Sequence, residues 1–194
     1  MKEIVLSTGS KNKVKEMKSI LGDGDFKVID KNEAGFSDLD VEETGETLAE
    51  NAIIKAEAIW EKVHKTVIAD DTGLFVDALD GIPGVRSARY AGEHATDEEN
   101  REKLLNALKD EKNRSARFIT CIAVIDEDGK VNTLEGTCEG KIAEKETGTN
   151  GFGYDSIFVP EGYDISFGEI SDELKNKISH RALAMKKLKE FLSD

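Results

Sequence analysis

The sequence predicts an α/β fold: one domain over residues 1–194, with two lobes and polar turns that carry the chemistry. Three observations predict it. Lys2 to Ser7 is an apolar strand run, and Val14, Met17, Ile20 and Leu21 follow at helical spacing, which makes a strand-loop-helix unit. Thr47-x-x-Glu50 and Thr96-x-x-Glu99 are capping boxes that start two further helices. Phe118–Ile125, Val131–Glu135 and Glu139–Ala143 are strand-like runs in succession with no helix between them, so the sheet is mixed or one lobe is β-rich. No internal repeat or low-complexity linker divides the chain.

The composition narrows the partners. A chain of 194 residues buries a core without staples, and Cys121 and Cys138 both fall in strand-like runs with no Cys-x-x-Cys or Cys/His cluster. A reduced, cytoplasmic protein is the expectation. The N-terminus enters a strand at once and no apolar run approaches a membrane span, so neither a signal peptide nor a membrane is expected. The net charge of −13, from 40 acidic and 27 basic residues, argues against a nucleic-acid or anionic-membrane surface. A small phosphorylated ligand is still allowed, held by positioned lysines, backbone amides and a divalent cation.

Taken in order, the first helix is closed by Gly22-Asp23-Gly24, and the loop before it is Ser7-Thr8-Gly9-Ser10-Lys11-Asn12-Lys13. That loop puts a hydroxyl, a glycine and lysines at a helix N-terminus, where free amides and the dipole favour an anion. It is not a Walker loop, and on spacing alone it also fits an ordinary helix start. Phe26–Asp30 is a second strand, and the acidic stretch after it carries Glu42-Glu43-Thr44. The helix after Thr47 shows an apolar face of Leu48, Ala52, Ile53, Ala56, Trp60 and Val63, with Asn51 and Lys55 four apart on the neighbouring stripe.

The apolar run Thr66–Ala69 ends in Asp70-Asp71-Thr72-Gly73, which reads as a core strand opening into a turn, with Leu74–Ala78 as a separate strand. Successive strand residues point to opposite faces, so one of the two aspartates works and the other supports. Gly148-Thr149-Asn150-Gly151-Phe152-Gly153-Tyr154-Asp155 offers close backbone approach and aromatic faces, or is a plain structural loop, and leads into a strand over Ser156–Val159. Lys175-Asn176-Lys177-Ile178-Ser179-His180-Arg181 precedes a last helix with Ala184, Leu188, Phe191 and Leu192 apolar. Ser179 is its expected N-cap, and His180 and Arg181 sit in a first turn where cations call for an anion or acceptor. With three histidines and no thiolate cluster, a metal would be a hard one held by oxygens.

Together these motifs resemble the inosine/xanthosine triphosphate pyrophosphatase family. The resemblance covers the whole chain: Thr8-Gly9 with Lys13, Glu42-Glu43-Thr44-Gly45, Glu50-Asn51-Ala52, Ala69 to Leu74, Gly84 with Ser87-Ala88-Arg89-Tyr90, Gly151 to Asp155, and Ser179-His180-Arg181. It implies hydrolysis of ITP, dITP or XTP to the monophosphate and pyrophosphate, in a cleft between two lobes of a homodimer built on a long mixed β-sheet flanked by helices. The cofactor it implies is Mg²⁺, with Mn²⁺ as a substitute.

Carried over residue by residue, Thr8, Gly9, Ser10, Lys11, Asn12 and Lys13 form the phosphate loop. Asp71 is the catalytic carboxylate, with the Thr72 hydroxyl beside it where a serine is common. Phe152 stacks on the base, and Gly153, Tyr154, Asp155, Lys175, His180 and Arg181 complete the nucleotide set. The metal falls to Asp71 with Glu42 or Glu43, Glu42 being favoured. Ser10 stands where the family has asparagine, which puts any amide contact to phosphate in question. A donor-only guanidinium at Arg181 would favour a 6-oxo base over a 6-amino one.

Two rival readings differ in their products or requirements. A nucleotide-binding regulator would need the loop and Phe152 without the acids. A phosphomonoesterase with an aspartyl nucleophile would release orthophosphate, and would carry D-x-D after the first strand, where this chain has Ser7-Thr8-Gly9.

Overall fold

In the computed structural model of the chain, which describes residues 2–22 and 26–193, strands and helices alternate at first and strands then follow one another. The elements are β1 (Lys2–Leu6), α1 (Lys11–Leu21), β2 (Phe26–Asp30), α2 (Leu48–Val63), β3 (Thr66–Val76), β4 (Pro83–Gly84), α3 (Asp97–Ala107), β5 (Ser115–Ile125), β6 (Val131–Ile142), β7 (Phe158–Pro160), α4 (Asp172–Ile178) and α5 (His180–Ser193). The sheet runs β2-β1-β3-β5-β6-β7, with β4 paired to β3. It is mixed: β1 is parallel to β2 and β3, whereas β3–β4 and β6–β7 are antiparallel. The α/β architecture on a helix-flanked mixed sheet is the one expected.

The chain divides into two compact units. The first comprises the described residues of Met1–Asp71, Thr120–Gly136 and Arg181–Asp194, and the second Thr72–Ile119 and Thr137–His180. In the first unit, side chains alternate across the sheet. Ile4, Leu6, Ile68, Ile122 and Val124 meet Met17 and Leu21 of α1 and Ala184, Met185 and Leu188 of α5. Val5, Val67, Ala69, Ala123 and Ile125 meet Ala52, Ala56 and Ile59 of α2 on the other face. Each fully buried Leu or Ile contributes about 1.5–3 kcal/mol, so the two apolar layers fix the register that decides where polar strand residues point. The second unit has its own core around Leu74, Leu104, Phe118, Phe158 and Phe167.

The local signals act as their chemistry requires. Thr47 and Glu50 form both bonds of the capping box on α2, and Thr96 and Glu99 do the same on α3. The turn between β5 and β6 is held by Asp126 Oδ1, which accepts from the amides of Asp128 (3.0 Å) and Lys130 (2.9 Å). Trp60 of α2 donates its indole N–H to Asp126 O at 2.7 Å, packing the helix onto that turn.

Several expectations are corrected. No turn follows Asp70-Asp71: β3 is one strand of 11 residues, and Leu74–Val76 is its continuation. Val131–Glu135 and Glu139–Ile142 are likewise one strand, β6. The strand expected at Ser156 begins at Phe158, after a 3₁₀ turn over Asp155–Ile157. Lys175–Ile178 is the body of a helix, α4, whose N-cap is Ser171. Ser179, in extended backbone, directly precedes α5, the N-cap position expected of it. Phe191 lies outside the α5 core face, at 39% exposure. Gly22 caps α1 by donating to Lys18 O at 2.8 Å, while the Asp23 and Gly24 of the expected stop lie outside the described residues.

Candidate active site

Strand alternation separates the aspartates. Ile68 packs on the α1/α5 face and Ala69 on the α2 face, so Asp70 points towards α1 and α5 and Asp71 towards α2. Both lie beyond Leu6↔Ile68, the last pair of the parallel ladder with β1, where β1 leaves the sheet as the Ser7–Ser10 loop. This is the carboxyl end of parallel strands, the usual place for a ligand in such sheets.

Asp70 is 0% exposed and faces two cations. Lys13 Nζ lies 3.1 Å from its Oδ2, and Arg181 donates to the same oxygen through Nη2 at 3.3 Å and Nε at 3.4 Å. The other side of the Arg181 guanidinium is taken by Glu16 of α1. Burial alone would raise the Asp70 carboxyl, but the charges of Lys13, Arg181 and Lys55 outweigh it and hold the group far below the usual carboxylate range. Lys13 is also lowered from its ordinary value, because burial disfavours its ammonium and outweighs the pull of Asp70.

Asp71 has different surroundings. Its Oδ1 accepts from Lys55 Nζ at 3.3 Å, and the same ammonium lies 3.1 Å from Glu43 Oε1. Its Oδ2 is buried without a hydrogen-bond partner. Burial raises the Asp71 carboxyl, and Lys55 only partly offsets this because Glu43 and Asp70 add like charge. Two adjacent carboxyls are thus driven in opposite directions, the pattern that separates a group built to stay charged from one able to take a proton.

The loop before α1 is built on a helix N-terminus, a place suited to an anion. Ser10 is the N-cap: its Oγ accepts from Lys13 N at 3.3 Å, and its own amide donates to Thr8 Oγ1 at 3.2 Å. A serine therefore fills the capping role here, and its hydroxyl is spent on the helix. The first turn of α1 carries Lys11 and Lys13 and no acid, whereas α2, α3 and α4 each have acids there. Lysines against the positive end of a dipole are unfavourable unless an anion joins them. Ser7 Oγ donates to Lys55 O at 2.6 Å, tying the loop to α2 one helical turn from Asn51, whose Oδ1 accepts from Gly45 N at 2.7 Å.

The residues expected to hold a metal divide. Glu43 stands at the Lys55–Asp71 pair, while Glu42, the favoured one in the sequence, is exposed. Among the described residues no group of three or more His, Cys, Asp or Glu is placed to hold a metal. The donor set still suits Mg²⁺, which takes one or two carboxylates and completes its octahedron with waters and substrate phosphates. Glu43 and Asp71 are two such carboxylates around one cation position, and Asp71 Oδ2 is the buried oxygen left over.

In the second unit, Asp155 and Lys175 form a buried pair at 2.7 Å. Asp155 Oδ2 also accepts from Phe152 N at 2.9 Å, and Lys175 Nζ lies 4.7 Å from the Phe152 ring centroid. Gly151 has φ +73°, and a Cβ there would fall 2.1 Å from Asp155 Oδ2, so only glycine lets the loop close on this carboxylate. Tyr154 donates its hydroxyl to Ser87 O at 2.6 Å, and Thr72, half-buried, opens this unit just after Asp71. His180 is stacked on Phe118 with centroids 4.5 Å apart. Arg181, read in the sequence as facing a base edge, here has its guanidinium 1% exposed and engaged by Asp70 and Glu16.

The sequence reading passed over Glu16, although Lys13-x-x-Glu16 puts it on the stripe of α1 that faces Asp70. It also passed over Lys31, whose Nζ lies 3.7 Å from where a Cβ on Gly9 would sit.

The model of the Ham1 family matches residues 4–191. The chain belongs to the Ham1 family. Among its relatives are the dITP/XTP pyrophosphatases of Bacillus subtilis, 48% identical over 99% of this chain and 98% of that protein, and of Oceanobacillus iheyensis, 45% identical over the same shares. Among solved structures, the Staphylococcus aureus Ham1 protein superposes with a TM-score of 0.89 at 46% identity, covering 99% of this chain and 98% of that one. A HAM1 protein from Coxiella burnetii gives 0.90 at 42% identity, covering 100% and 99%. The Ham1 match and the resemblance read from the motifs agree on the family.

Proposed function

We propose that this chain is a Mg²⁺-dependent nucleoside triphosphate pyrophosphohydrolase that converts dITP, XTP and ITP to the monophosphate and pyrophosphate. The observation that carries the chemistry is the divided acid pair, with Asp70 locked as an anion by Lys13 and Arg181 and Asp71 raised, with one buried oxygen unpartnered. The full-length relatives named dITP/XTP pyrophosphatases support the substrate class.

Breaking a phosphoanhydride needs charge neutralised on the phosphates, a water in line and a base beside it. The free amides at the start of α1, with Lys13 at 17% exposure, meet the phosphate charge. Asp71 Oδ2 takes the proton of the attacking water, a task suited to a carboxyl raised by burial above its ordinary value. Lys55 holds Asp71 and Glu43 in place, and these two carboxylates are the residues that would hold the metal. Mg²⁺, when bound, supplies charge compensation on phosphate oxygens. Phe152 gives the base a stacking face, which is tolerant of purine identity.

The test is a nucleotide panel read separately for pyrophosphate and orthophosphate, with and without EDTA. Pyrophosphate from dITP and XTP, abolished by EDTA and restored by Mg²⁺ or Mn²⁺, is the expected result. Orthophosphate as first product, or full activity in EDTA, overturns it. A homodimer in the cytoplasm belongs to the same proposal and is checked by light scattering and cell fractionation. For the membrane, the structural fact is that no helix among the described residues is long and apolar enough to cross one.

A further inference from the structure

The residue after Phe152 is held at both of its backbone groups by one helix. Asp97 Oδ2 accepts from Gly153 N at 3.0 Å, and Arg101 Nη1 donates to Gly153 O at 2.8 Å. The two side chains are four apart on α3, so they stand one above the other on a single stripe. Arg101 is itself fixed, since its side chain is 19% exposed and its Nε is bound to Glu146. Three other residues of the loop are tied by different partners: Asn150 Nδ2 donates to Ile170 O at 2.9 Å, Phe152 N to Asp155, and the Tyr154 hydroxyl to Ser87 O.

We infer that Asp97 and Arg101 are positioning residues that set the affinity for the nucleobase by holding the Phe152 ring in its stacking orientation. The inference rests on Phe152 as the stacking residue. Stacking gains affinity only if the face is in place before the base arrives, because ordering a loop on binding is subtracted from the interaction. Gly153, at φ +59°, has no side chain of its own to fix it, so its orientation depends on these two bonds. Both are charge-assisted, and such bonds are stronger than neutral ones.

The effect belongs to the base and not to the phosphates, so two probes separate it from general loosening. Arg101→Ala and Asp97→Ala are expected to raise KM for dITP about tenfold, the scale of one lost bond to a charged group, with kcat within about twofold. The dissociation constant of imidodiphosphate, which has phosphates and no base, stays at its wild-type value. Asp97→Asn keeps an acceptor and Arg101→Lys keeps a donor, and each recovers most of the loss at an unchanged melting temperature. A parallel rise in the imidodiphosphate constant, or no rise in KM, overturns the clamp. Phe152→Ala is the control on the underlying reading. If it raises KM and the clamp variants do not, only the clamp is lost; if it leaves KM unchanged, stacking and clamp fall together.

Discussion

The two faces of β3 hold one carboxylate each, and supporting charge is divided unequally between them. On the α1/α5 face Asp70 has the ammonium of Lys13 and a guanidinium bound through two nitrogens. On the α2 face Asp71 has one ammonium, which it shares with Glu43. The same side chain in consecutive positions is thereby a fixed anion on one face and an adjustable acid on the other. Sequence proximity says nothing about which is which; the pleat and the partners on each helix decide it.

The largest expected effect breaks the comparison on the Asp70 side. Asp70→Asn leaves Lys13 and Arg181 buried with their main counter-charge gone, and removing one partner of a buried pair costs about 3–5 kcal/mol. Chemical denaturation is expected to show that loss. Asp71→Asn should act in the opposite register, with turnover falling by at least roughly 10²-fold through loss of the general base while binding of a non-hydrolysable dITP analogue persists. Its stability at neutral pH should not drop, because a raised carboxyl is a group whose ionisation disfavours the fold. If the melting and kinetic effects exchange places between the two variants, the assignment of faces is wrong.

The pH dependence sharpens the same contrast. The folded Asp70 carboxyl is depressed, so its stabilisation is complete above the ordinary carboxylate range, near about 4, and is lost as the pH falls below it. Wild-type stability measured from pH 6 to pH 3 should fall more steeply than that of Asp70→Asn. A finer effect concerns the glutamates. Glu43→Gln should raise the Mg²⁺ concentration for half activity by about tenfold, the lower end of what even outer partners of a metal are worth, and Glu42→Gln far less. Equal shifts would remove the distinction drawn from Lys55.

Much of this was legible in the residues. Alternation alone separated Asp70 from Asp71, the capping boxes fixed two helix starts, and Asn51 with Lys55 on one stripe marked the polar edge of α2. The continuity of β3 was hidden because Asp70-Asp71-Thr72-Gly73 has the composition of a turn. Gly73 is there for a different reason, since a Cβ would lie 2.6 Å from Gly84 O, where β4 pairs against the strand. Helix α4 was masked by its shortness, as seven residues with two lysines and two acids offer a single apolar pair at helical spacing, Leu174 and Ile178, beside a lysine that is itself buried. Glu43 could not be told from Glu42 because loop side chains follow no fixed alternation. The bond from Gly45 N to Asn51 Oδ1 sets the path of that loop, and it joins residues six apart through a side chain.

The packing of Trp60 on the β5–β6 turn also equips the molecule with an optical probe. Trp60 is the only tryptophan in the sequence, and its indole lies within the first unit with its N–H bound to Asp126 O and its ring edge-on to His64 at 5.0 Å. Its emission therefore reports on the unit that holds Asp70 and Asp71, whereas Tyr90, Tyr154 and Tyr163 all lie in the second. Excitation at wavelengths that tryptophan alone absorbs follows the unfolding of one unit, and comparison with the tyrosine signal tells whether the other unfolds with it.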